Sequence, residues 1–251
     1  MTRKFLLVLS RVMPLVTAGL VAVLLWFTSG VYFEPSGQHL LLWVSLPIML
    51  GMTMFTQGVA NMRLAQNMRG SLIAPLLVLS AFCAGLFLGQ GVMRVLLSII
   101  VAFLLLALWR SSTLHRTELM SVLALTTLFF TSYSLLGVSD FLELPRALPV
   151  VITGLLSFLT AREVFRHTHT EGGLRILLVL SFAVVTMELF AAISLLPMSA
   201  LVGAALLCVP LALSISVARS LITAPPHATF RWELFLCLIT MMVIIFTARW
   251  V

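Results

Sequence analysis

Charge is scarce in this sequence: 9% of its 251 residues are Asp, Glu, Lys or Arg, and Lys4 is the sole lysine. A soluble domain carries about 25% charged residues, so this chain lacks the means to cover its surface in water. That excludes an ordinary soluble globular protein and leaves lipid as the main solvent. Lys4 precedes every apolar run, which excludes a retinal Schiff base within a span. Cysteine is scarce too. Cys83, Cys208 and Cys237 fall inside apolar runs without paired spacing, so they support neither a disulfide framework nor a metal knuckle and read as small buried hydrophobes.

Motifs of catalysis are missing as well. The sequence has no nucleophile elbow, no HExxH, no Asp-rich diphosphate motif and no Walker lysine. His39, His115, His167, His169 and His227 lie at helix ends or in loops. His167 and His169 are two apart and do not share a helical face, whereas a metal site in a span needs ligands three or four apart. The expectation is a protein that is not an enzyme, with no catalytic residue, no metal and no cofactor.

What is present is apolar length. Hydrophobic residues make up 61% of the chain, and the mean hydropathy is +1.18. Backbone groups in a bilayer need internal partners, so only helices and closed barrels span one. Barrel strands alternate over about ten residues. The runs here are continuous and about twenty residues long, enough to cross a hydrocarbon core of about 30 Å as a helix. The predicted fold is therefore all-α, a polytopic transmembrane bundle forming one integral membrane domain over residues 1–251. Its nine spans fall near 12–33, 39–60, 71–89, 92–109, 119–138, 147–165, 174–196, 199–218 and 233–250. The first run, from Val12 to Phe33, exceeds the 7–15 residues of a signal-peptide core and reads as a retained span.

Net charge of +7 would suggest nucleic acid in a soluble protein, but here the fifteen cations are spread along the helix ends. No nucleic-acid partner is expected; the distribution reads as topology and anionic-lipid contact. With a cytoplasmic N-terminus and nine spans, twelve cations lie inside and three outside (Arg94, Arg146 and Arg249). The C-terminus then lies outside. Adding or losing a span scrambles that split. Arginine in place of lysine throughout suggests a GC-rich coding sequence, hence a bacterial cytoplasmic membrane.

Few polar groups lie within the spans. Glu188 sits deep in the seventh, where an acid costs about 2.5–3.5 kcal/mol at the bilayer centre and should face protein or water rather than lipid. Two readings stand: a functional one, a proton or cation relay or a ligand counter-charge, and a structural one, a hydrogen bond to the fifth span. There Thr126, Thr127, Thr131, Ser132, Tyr133 and Ser134 cluster, with Thr127, Thr131 and Ser134 on one helix face. Such a face lines a path or glues helices together. Pro47 and Pro210 lie near midspan and kink their helices, as in helices that frame transport sites and in many that do not. Ala81, Gly85 and Gly89 form a small-residue stripe for close packing. Arg94 either snorkels to the headgroups or pairs with Asp140 or Glu143. Glu163 and Arg166, three apart, carry the sixth helix past the membrane.

Three functions follow from this inventory. A non-catalytic subunit or scaffold fits the scarcity of embedded ionisable groups; its partners are the bilayer and either other membrane subunits or further copies of the chain. A small proton- or cation-linked transporter would use Glu188, the fifth-span hydroxyls and Pro210. A membrane enzyme acting on lipid is the third and has the fewest residues to support it.

Overall fold

A computed structural model describes residues 2–29, 39–64, 72–88, 91–110, 116–142, 145–166, 172–222 and 229–247. Among these the chain is helical without a β-strand. Nine helices follow in order: α1 (Thr2–Thr28), α2 (His39–Leu64), α3 (Ile73–Leu86), α4 (Gly91–Arg110), α5 (Arg116–Leu142), α6 (Ala147–Phe165), α7 (Gly172–Ile193), α8 (Ala200–Ile222) and α9 (Thr229–Thr247). Each overlaps one of the nine apolar runs. Among the described residues five stretches are long and apolar enough to cross a membrane: Gly91–Trp109, Leu119–Ser139, Ala147–Phe165, Gly172–Ile193 and Ala200–Ala218. Their shortest length, 19 residues, is about 28 Å at 1.5 Å per residue.

Two ends depart instructively from the hydropathy boundaries. α1 begins at Thr2, well before the apolar run, because Arg and Lys interrupt hydropathy but are good helix formers. α3 is shorter than its run, 14 residues or about 21 Å. Pro75 sits in its first turn, where a missing N–H costs nothing. Its other end tightens into three-residue bonds, Phe87 N–H to Ala84 O at 3.1 Å and Leu88 N–H to Gly85 O at 3.2 Å.

The chain forms two compact units, Met1–Leu123 and Ala124–Val251, with α5 passing from one to the other. In the first unit α1 packs against α2, α3 and α4, and α3 also lies against α2 and α4. Most of α3 is buried: Ile73, Ala74, Leu77, Val78 and Ala81 are fully enclosed, while Leu76, Leu79, Cys83 and Leu86 form a half-buried stripe. Polar pins cross this unit. The Thr17 and Thr56 hydroxyls meet at 2.6 Å between α1 and α2, and Trp109 Nε1 donates to Gln57 Oε1 at 3.1 Å between α4 and α2. All four side chains are buried.

In the second unit α6, α7, α8 and α9 pack as successive neighbours, with α6 and α7 in the most extensive contact. Gly154 makes that contact close, since a Cβ there would lie 2.3 Å from Met187 Cγ and Sδ. The α7–α8 connection is tight. Met198 N–H bonds Leu196 O at 2.9 Å, a three-residue turn centred on Pro197, whose ring holds φ near about −65°. α9 lies on α8, and none of its described side chains from Phe235 to Thr247 is buried.

Candidate functional site

Glu188 lies about 8 Å beyond the midpoint of α7 at 1.5 Å per residue. The inward face of α7 is Val179, Phe182, Ala183, Thr186, Phe190 and Ile193, all buried. Two residues along a helix turn about 200°, so Glu188 points opposite to Thr186 and is exposed. It has no hydrogen bond or ion pair among the described residues. The fifth-span hydroxyls are buried instead: Thr127 1%, Thr131 3% and Ser134 4% exposed. Glu188 and this hydroxyl face are therefore not brought together, and the carboxyl stands on an outward surface flanked by Val184 and Val185, both exposed.

Most buried hydroxyls of the second unit bond their own helix. Ser134 donates to Phe130 O at 2.6 Å and Thr186 to Phe182 O at 2.7 Å, and the half-buried Ser214 does the same to Pro210 O at 2.9 Å. Such back-bonding satisfies a hydroxyl without a partner helix. Thr131 Oγ1 and Ser132 Oγ are exceptions, buried with no hydrogen-bond partner among the described residues. Pro210 is half-buried on α8. In the first unit Pro47 is exposed on α2, and Pro14, inside α1, is buried.

The hydropathy reading passes over one polar face, that of α6. Thr153, Ser157 and Thr160 are fully buried at i, i+4 and i+7, each donating to a carbonyl of its own helix. Glu163 continues this arc and is 3% exposed. Its Oε1 lies 3.9 Å from Arg166 Nη1, and Oε2 is buried without a hydrogen-bond partner among the described residues. The carboxylate also sits one turn from the helix C-terminus, where the macrodipole disfavours a negative charge. In the sequence the charged 162–166 stretch reads as a helix end leaving the membrane, and that reading hides the burial of Glu163. We predict that Glu163→Gln leaves stability unchanged or raises it by up to about 1 kcal/mol, read as the midpoint of thermal unfolding in detergent. A clear loss would mean that the carboxylate has a partner worth keeping.

Ala81 and Gly85 are buried within the first unit, and a Cβ at Gly85 would lie 2.7 Å from Ser29 Oγ and 3.3 Å from Leu97 Cδ2. This part of the small-residue stripe therefore faces the chain's own helices, not a further subunit; Gly89 lies outside the described residues. Arg94 is half-buried, and its Nε donates to Leu88 O at 3.0 Å, closing the end of α3 as cations close helix C-termini. Glu143 and the side chain of Asp140 lie outside the described residues. The three cysteines are free and half-buried. No group of three His, Cys, Asp or Glu side chains among the described residues is placed to hold a metal. No protein family, curated protein or solved structure matches this chain.

Proposed function

We propose that this multi-pass helical membrane protein serves as a non-catalytic subunit or scaffold that assembles with further membrane chains. One observation carries the reading: Glu188 stands on the outward apolar face of α7 with no partner in its own chain among the described residues. Apolar outward faces need only lipid, because lipid tails are as apolar as leucine. A carboxyl is what lipid cannot satisfy, and its retention there marks a surface that meets something else. The topology we infer is nine spans, N-terminus cytoplasmic and C-terminus outside, in a bacterial cytoplasmic membrane. The twelve-to-three cation split supports that orientation.

Gentle detergent extraction followed by native mass measurement tests the reading. The expected result is an assembly of more than one chain; a lone monomer would overturn it.

A small proton- or cation-linked transporter is the second reading. It loses the pairing of Glu188 with the fifth-span hydroxyls but gains the unpartnered Oε2 of Glu163. Coupled uptake into vesicles that survives Glu163→Gln and Glu188→Gln together would remove both of its acids.

A further inference from the structure

The connection between α7 and α8, Ser194 to Ser199, holds no charged residue, yet it stands on the surface. Leu195 is 65% exposed, and Leu196, Pro197 and Leu201 are exposed with it. Three leucines on the outside of a turn are unfavourable in water and at no disadvantage in lipid. The backbone suits the same solvent. A helix leaves its last four carbonyls without an intrahelical partner, and at an aqueous end water can bond them. The last four of α7 are all paired inside the chain. Phe190 O accepts from Ser194 N–H at 2.9 Å, Ala192 O from Leu195 N–H at 3.2 Å and Ile193 O from Leu196 N–H at 3.0 Å. Ala191 O accepts from the Ser194 hydroxyl at 2.8 Å. Met198 N–H is bonded to Leu196 O, and Pro197 has no N–H to satisfy. At the start of α8, Ser199 accepts Val202 N–H on Oγ at 3.5 Å and Gly203 N–H on its carbonyl at 3.0 Å. Internal pairing of this kind is what hydrocarbon demands of backbone and water does not.

The reach of the two helices agrees. Arg175 lies near the start of α7 and Arg219 near the end of α8. From Arg175 to Ile193 the chain rises about 27 Å, and from Ala200 to Arg219 about 28 Å. A hydrocarbon core is about 30 Å thick. With both arginines in one headgroup layer, the apex of the hairpin stops short of the other. We propose that the α7–α8 turn is held within the hydrocarbon of the leaflet opposite Arg175 and Arg219, where Leu195, Leu196 and Leu201 contact acyl chains. The proposal rests on the membrane reading alone. For the subunit reading it adds that Glu188, about 8 Å deeper than the end of α7, is not reached by water around this turn.

The test uses the full chain in phosphatidylcholine liposomes, with Cys83, Cys208 and Cys237 replaced by alanine. A nitroxide is attached at Leu195→Cys or Leu196→Cys, both exposed, so the label displaces no packed side chain. Its collisions with oxygen, which concentrates in hydrocarbon, are compared with those of a water-soluble nickel chelate. Arg146→Cys is the aqueous control. Arg146 is exposed, and the contact of Gly154 with Met187 places it at the same end of the α6–α7 pair as the turn. Oxygen should dominate at 195 and 196, and the chelate at 146. Chelate contact at 195 and 196 equal to that at 146 puts the turn in water and overturns the proposal. Shielding of both positions from both reagents means that protein, not lipid, covers the turn, and overturns it as well. The subunit reading is decided separately, by the native mass, so the two can fail independently.

Discussion

Trp109→Ala is expected to destabilise the first unit by about 3 kcal/mol, the lower end of the range for removing a buried aromatic. Trp109 is 6% exposed, so its truncation leaves a cavity that α2 and α4 cannot easily close. Lipid lowers the transfer part of the loss, because an apolar group leaving the protein enters another apolar medium. The lost dispersion contacts remain. A polar part adds to them: Gln57 Oε1 loses the indole N–H that it accepts at 3.1 Å. Trp109→Phe separates the two, keeping most of the volume while removing the donor, and should cost about 1 kcal/mol. Thermal unfolding of both variants in the same detergent would check the ratio. Equal losses would mean that the hydrogen bond, and not the volume, holds α4 to α2.

Gly154→Leu should separate the closest helix pair of the second unit. The site is buried, and a Cβ alone would overlap Met187 Cγ and Sδ. Alanine there costs modestly, because a methionine side chain swings aside. Leucine adds three more carbons to a filled interface, and overpacking of this kind costs about 1–3 kcal/mol or more. The diagnostic is rescue. Met187→Ala should recover a large part of the loss in the Gly154→Leu background, since residues in contact couple in double-mutant cycles. No coupling would place the strain elsewhere on α6.

These two sites differ in how readable they are. Trp109 at the end of an apolar run invites assignment as an interfacial aromatic, yet it is turned inward onto Gln57. Gly154 is one glycine among fourteen in the sequence, and only the position of Met187 singles it out. Glu188 was visible from its depth, but its direction was not. Glu163 was visible as the partner of Arg166 three residues on, and the 3.9 Å separation bears out that spacing. Its burial, and the face formed with Thr153, Ser157 and Thr160, were not legible from the charged stretch around it.

By itself the sequence determined the solvent, the helical class and the location of the helices along the chain. Length and apolarity suffice for these, since a bilayer of given thickness admits helices of about twenty residues and penalises unpaired backbone. The tertiary structure decided what each helix faces. In water, burial and exposure demand different residues, and a helix announces its inner side by its pattern. In lipid both sides are apolar, so α3, with most of its side chains buried, and α9, with no buried side chain from Phe235 to Thr247, are written in the same alphabet. The direction of Glu188, on which the functional reading turns, is the kind of fact that such a sequence leaves to the fold.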